Sequence, residues 1–145
     1  MKLSMAAELA VRGIMVLTSR HGNGTVPMAE ICRARDLPRD YMTRIFAMLS
    51  RANLVSSIRG KGGGYRLARE PDQITLLDVI EAVQGPLALN LCQQQPPQCD
   101  EEDCPVEPVW RDLQQQVQVA LKSKTLAQLV CQRENCTPDD HTAGQ

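Results

Sequence analysis

A mainly α-helical chain with one small β-hairpin is what this sequence predicts, and three observations predict it. Apolar residues recur at spacings of three and four along residues 4–20, 38–52 and 75–83. A glycine run, Gly60-Lys61-Gly62-Gly63-Gly64, separates two short extended stretches. A glutamine-rich stretch from Val106 to Val130 carries a further apolar stripe. At 145 residues, the chain suits one domain with an appended arm.

The first helix spans residues 4–20, with Ser4 as N-cap and Met5, Leu9, Ile14, Val16 and Leu17 on its buried face. His21-Gly22-Asn23-Gly24 stops it. After Pro27 a short helix over residues 28–35 turns Ile31 and Cys32 inward, and Asp36-Leu37-Pro38 breaks the chain again. A longer helix then runs from Pro38 to Ala52, with Tyr41, Ile45, Met48 and Leu49 on one face and Arg39, Asp40, Thr43 and Arg44 on the other. Two helices joined by a tight turn suit a helix-turn-helix, although the pair alone reads first as an ordinary helical hairpin.

The next segment favours the first reading. Leu54-Val55-Ser56-Ser57-Ile58-Arg59 and Tyr65-Arg66-Leu67 read as two strands around a turn whose glycines permit positive φ, which makes a wing. Arg59, Lys61 and Arg66 are expected to project from a tip stripped of bulk, where they can approach a phosphate backbone or enter a minor groove. A nucleotide-binding loop is the competing reading of so many glycines. The run lacks the Gly-x-x-x-x-Gly-Lys-Ser/Thr spacing and no strand-to-helix crossover holds it. Thr75 caps a further helix over 76–83, and Gly85-Pro86 ends it.

Residues 86–105 are too polar and too broken by proline to pack a core, and they hold Cys92, Cys99 and Cys104. Thiolates crowded into a loop suit an iron-sulfur cluster or zinc. The gaps of six and four residues between the cysteines lack the paired Cys-x-x-Cys of a zinc knuckle. Four acids, Asp100 to Asp103, lie between two of these cysteines. From Val106 to Val130 the apolar stripe is read as one long helix, too extended for a small domain to cover, so a partner helix from a second copy is expected.

A net charge of −1 conceals an asymmetry: residues 1–70 hold twelve basic against five acidic residues, a balance of +7, and the other seventy-five hold four against twelve, −8. The first half suits a polyanion, although charge alone fits a solvated surface equally well. No apolar run approaches the roughly 20 residues that span a bilayer, and the N-terminus lacks an apolar signal core, so a cytoplasmic protein with no membrane partner and reduced cysteines is expected. Cys32 is read as a small buried apolar residue, and Cys131 and Cys136 as bystanders, a redox pair or a spare ligand. Neither His21 nor His141 has a partner that suggests catalysis, and no enzyme is expected.

The succession of helix-turn-helix, wing (Ser57 to Leu67), Ile74-Thr75-Leu76-Leu77-Asp78-Val79-Ile80, three cysteines and Cys104-Pro105-Val106-Glu107-Pro108-Val109-Trp110-Arg111-Asp112-Leu113 closely resembles the Rrf-type (IscR/NsrR-like) winged helix-turn-helix iron-sulfur transcriptional regulators. The likeness reaches to about Val130. It implies a winged helix-turn-helix DNA-binding domain over 1–84, a cysteine-rich cluster-binding loop over 85–105 and a dimerisation helix over 106–132; the tail over 133–145, with Pro138, two aspartates and a Gly, is expected to be disordered from its own residues. It further implies a homodimer on double-stranded operator DNA, contacting it through Arg39, Asp40, Tyr41, Thr43 and Arg44 on the recognition helix and through Arg59 and Lys61 on the wing. Tyr41 stands in both the core reading and the contact reading.

By the same resemblance Cys92, Cys99 and Cys104 hold an iron-sulfur cluster, 2Fe–2S or 4Fe–4S, whose state controls operator affinity in response to redox state, nitric oxide or iron-sulfur status. Some members place a histidine three residues after the last cysteine, where this chain has Glu107; others take a fourth ligand from an acid in the first helix of the partner subunit, where this chain has Glu8. Either carboxylate can complete the site. The alternative is a cluster-free DNA-binding regulator with a cysteine thiol–disulfide switch.

Overall fold

The computed structural model describes residues 2–134; the remainder of the expected tail, with Cys136 and His141, lies outside the described residues. Helix α1 (Met5–Ser19) begins where the Ser4 hydroxyl accepts the Ala7 N–H at 3.1 Å, and Glu8 sits in its first turn, where a carboxylate suits the helix dipole. Its buried face starts at Ala7 and continues through Leu9, Ala10, Ile14, Val16 and Leu17; Met5, expected inside, stays 64 % exposed in the first turn. Helix α2 (Met28–Arg35) buries Ile31 and Cys32. It stops at Asp36, whose left-handed φ of 52° lets the Leu37 N–H return to the Cys32 carbonyl at 2.9 Å.

Helix α3 (Arg39–Arg51) buries Met42, Ile45, Phe46 and Leu49. The inward stripe is therefore rotated from the expected one: Ile45 and Leu49 hold their places, but Met42 and Phe46 stand where Tyr41 and Met48 were expected, and Tyr41 is 41 % exposed. The cause lies at Gly13 of α1. A Cβ there would fall 2.6 Å from Met42 Cε and 2.8 Å from Phe46 Cε2, so the missing side chain is the space into which α3 packs.

Strands β1 (Val55–Ile58) and β2 (Gly64–Leu67) pair antiparallel, Val55 with Leu67 and Ile58 with Gly64. Val26 adds a short third rung, exchanging both backbone bonds with Tyr65 at 2.8 and 2.9 Å. Gly64 has φ of +156° and its missing side chain makes room for this rung, since a Cβ would come within 2.6 Å of the Val26 carbonyl carbon. Arg66 pairs with Ser56 at the root of the hairpin, so the expected tip position belongs to Arg59 and Lys61 alone.

Helix α4 (Leu76–Gln84) opens on a reciprocal cap: the Thr75 hydroxyl accepts the Asp78 N–H at 3.2 Å and the Asp78 carboxylate accepts the Thr75 N–H at 2.9 Å. Thr75→Ala is expected to cost about 1 kcal/mol, the ordinary worth of such a cap, read as a lower urea midpoint at unchanged slope. Beyond the loop come α5 (Glu107–Lys122) and α6 (Leu126–Glu134). The single long helix expected over 106–130 is thus two, broken at Ser123-Lys124-Thr125.

The break has a clear cause. Leu126 is fully buried in the core shared by α1, α3 and the wing, while none of α5 is buried, so the chain must turn back to deliver it. Thr125 then caps α6 with Gln128 in the manner of Thr75 and Asp78, with bonds of 3.1 and 3.3 Å. The two caps lie back to back: the Leu76 N–H donates to the Lys124 carbonyl at 2.8 Å and the Leu126 N–H to the Ile74 carbonyl at 2.9 Å. Helix α1 packs against α2, α3, α4 and α6, and among the described residues no helix is long and apolar enough to cross a membrane.

Candidate nucleic-acid interface and cysteine loop

Because α3 turns Met42, Ile45, Phe46 and Leu49 inward, its other side leaves Arg39, Asp40, Tyr41, Thr43 and Arg44 exposed. Thr43 partly satisfies itself by donating its hydroxyl hydrogen to the Arg39 carbonyl at 3.1 Å. Arg59 and Lys61 are exposed on the wing, between Ile58 and two positive-φ glycines, Gly60 at 98° and Gly62 at 76°. The tip is steadied by Thr25, whose hydroxyl donates to the Gly62 carbonyl at 2.7 Å. Among the described residues the ion pairs join Arg12 to Glu8, Arg20 to Glu30 and Arg111 to Glu107, His21 Nε2 lies 3.1 Å from Glu70 Oε2, and none of these contacts engages Arg39, Arg44, Arg59 or Lys61. Four cations on one helix face and one hairpin tip thus keep their charge for an outside partner.

Wing and helix are joined by an aromatic pair. Phe46 and Tyr65 meet edge to face, centroids 4.9 Å apart at 76° between planes. The contact fixes how far the wing stands from α3.

The cysteine loop is tied at both ends. At its start the buried Leu87 gives its N–H to Glu81 Oε1 at 3.0 Å, and Leu89 gives its own to Gln114 Oε1 of α5 at 3.1 Å. Cys92 lies in a single three-ten turn, Leu91–Gln93, and the Gln98 N–H returns to the Leu91 carbonyl at 3.0 Å. That bond brings Cys99 back toward the turn that carries Cys92. Cys104 precedes α5, its carbonyl accepting the Glu107 N–H at 3.3 Å. All three thiols are free, Cys99 exposed and the other two half-buried. Among the described residues, no group of three or more Cys, His, Asp or Glu side chains is gathered closely enough for one metal ion.

The two candidate carboxylates have local partners. Glu107 makes a bidentate pair with Arg111, at 3.1 and 2.6 Å. Glu8 stands 4.0 Å from Arg12 and borders a shallow apolar crevice with Val11, Ile80 and Leu121. Burial raises the pKa of the Cys32 thiol against a smaller opposing pull from Arg39, so it stays protonated and unreactive at neutral pH.

Residues 3–132 match the family profile described as Rrf2, iron-dependent transcriptional regulator. The chain belongs to the Rrf2 family. It is 34 % identical over 134 residues to the HTH-type transcriptional regulator IscR of Sodalis glossinidius, covering 92 % of this chain and 81 % of that one. Among solved structures, IscR of T. potens superimposes with a TM-score of 0.79 at 27 % identity over 100 % of this chain and 93 % of its own. CymR of B. subtilis, described as the global cysteine regulator, superimposes with a TM-score of 0.78 at 31 % identity over 91 % and 98 %.

As an Rrf2 protein the chain is a DNA-binding transcriptional regulator and not an enzyme. The winged helix-turn-helix expected from the residues is the fold of these Rrf2 relatives. Sequence reasoning placed the Thr75 cap but missed the Phe46–Tyr65 contact, the Thr125 cap and the pairing of the two caps, although Thr125-x-x-Gln128 carries a capping signature that was there to be read.

Proposed function

We propose that this Rrf2 regulator binds operator DNA as a homodimer in the cytoplasm, with an affinity set by an iron-sulfur cluster on Cys92, Cys99 and Cys104. The observation that carries the reading is the placement of three free thiols in a loop pinned to α4 at one end and running into α5 at the other. The donor set fits such a group: thiolates are the ligands cluster iron prefers, and a cluster spreads them over several irons, which asks for a wider spacing than one ion. Glu107, on giving up Arg111, or Glu8 of a second copy supplies an oxygen for the fourth position. The cluster supplies a centre that oxidants or nitric oxide alter.

The residues then divide the work. Arg39, Asp40, Tyr41, Thr43 and Arg44 meet base edges and phosphates in the major groove, and Arg59 and Lys61 follow the backbone or minor groove. A second copy covers Val106, Val109, Trp110, Leu113 and Val119, all exposed along α5 and its approach. Loop geometry reaches the DNA face along two routes, through Leu87 and Glu81 into α4, and through α5 into the Thr125–Thr75 bridge. A coupling of about 1–3 kcal/mol changes affinity by roughly 5- to 150-fold.

The test is anaerobic purification with iron and sulfide analysis, followed by binding to duplexes selected from a random pool. Visible absorbance that disappears on oxidation, together with a changed DNA affinity, is expected. On those duplexes Arg59→Ala should weaken binding about tenfold or more and lower the slope against log salt by about 1, the signature of one lost phosphate contact.

A thiol–disulfide switch without metal is the second reading, favoured by the likeness to the global cysteine regulator and by the exposed Cys99 thiol. Colourless protein whose DNA binding responds to dithiothreitol selects it.

A further inference from the structure

Gln93 is the one side chain of the cysteine loop that the fold leaves chemically unfinished. Its Oε1 and Nε2 are both shielded from solvent, and neither has a hydrogen-bond partner among the described residues. Its neighbours Asn90, Gln94, Gln95 and Gln98 are exposed to solvent, and Gln98 Nε2 also donates to the Pro96 carbonyl at 3.3 Å. A position selected for packing alone would carry Leu or Met, because an unpaired buried carboxamide opposes folding.

The backbone explains where that carboxamide stands. The Gln93 N–H is bonded to the Asn90 carbonyl at 3.1 Å, and the Gln98 N–H to the Leu91 carbonyl at 3.0 Å, so Gln93 lies in the closed segment between Cys92 and Cys99. The groups that a loaded loop adds next to this segment are sulfurs, thiolate and sulfide, which are hydrogen-bond acceptors. Nε2 brings two N–H donors, whereas the neutral amide oxygen competes poorly with thiolate or carboxylate for iron.

Building on the cluster reading above, we propose that Gln93 is a positioning residue whose Nε2–H donates to a sulfur of the cluster held by Cys92, Cys99 and Cys104. Such bonds stabilise the more negative, reduced state and hold the ligands in place. The buried amide therefore opposes folding of the empty loop and favours the loaded one.

The experiment uses the full chain reconstituted anaerobically with ferrous iron and sulfide, compared with Gln93→Met and Gln93→Glu. Met keeps the volume without a donor, and Glu keeps the shape with acceptors and a charge. Both variants should lose iron to a chelator about 10-fold faster or more, the usual effect of removing such a partner, and both should have a lower reduction potential. The metal-free Gln93→Met protein should unfold at the parent's urea midpoint or above, which separates a lost bond from a damaged fold. If Gln93→Met folds poorly, the potential and iron-loss rate of Gln93→Glu decide alone. Variants that match the parent in both overturn this inference and leave the cluster reading standing. A parent that takes up no iron and sulfide overturns both.

Discussion

Cys99→Ala should yield colourless protein from an anaerobic preparation in which the parent is coloured, and its DNA affinity should no longer respond to oxidant or nitric oxide. Cys99 is the most informative of the three because it alone is exposed, where a substitution disturbs packing least. A surface change of this kind moves stability by about 0.5 kcal/mol or less, so the loss of response reports chemistry and not unfolding. In the parent the two states should differ by roughly 5- to 150-fold in affinity, and in the variant that ratio should fall to one. Cys32→Ala is the matching control, since its buried, protonated thiol is unsuited to iron and the variant should keep its colour. Retained regulation in Cys99→Ala would end the cluster reading.

The parts of this structure that were legible in the sequence are those written in local chemistry. Ser4, Thr75, Gly85 and the wing glycines Gly60 and Gly62 act through their own backbone neighbours, and the structure finds each where its residue type requires it. The three cysteines were visible as a group by composition. What was not legible depended on contacts between distant segments. The rotation of α3 follows from Gly13, twenty-nine residues before Met42, and a helical-period count cannot know where a neighbouring helix has left a gap. The break after Lys122 follows from the burial of Leu126 among residues of the N-terminal half, although its local periodicity continues that of α5.

That break changes how the molecule is coupled. A single long helix would carry the far arm away from the DNA-binding half beyond the contact of α5 with α4. Instead α6 returns to pack on α1, and its first residues pair with the start of α4, so α5 is held at both ends. In the proposed switch, these contacts are the path by which a shift of α5 would reach both the segment that follows the wing and the helix beneath α3.

Phe46→Ala should be the most destabilising single substitution in the DNA-binding half. The ring is fully buried, occupies the space Gly13 leaves and meets Tyr65 edge to face. Deleting a buried phenyl costs about 3–5 kcal/mol, and the aromatic pair adds about 0.5–1.5 kcal/mol beyond the area lost. Against a total of roughly 5–15 kcal/mol for a domain of ordinary stability, the variant should unfold at a much lower urea concentration. Phe46→Leu refills most of the volume without the edge contact. It should recover much of the stability but leave the wing less firmly set, so DNA binding should remain weaker and less salt-dependent than in the parent even where the protein is fully folded. An unchanged urea midpoint in Phe46→Ala would mean that α3 and the wing are not locked through this ring. Normal operator affinity in Phe46→Leu would mean that the lock matters to folding alone.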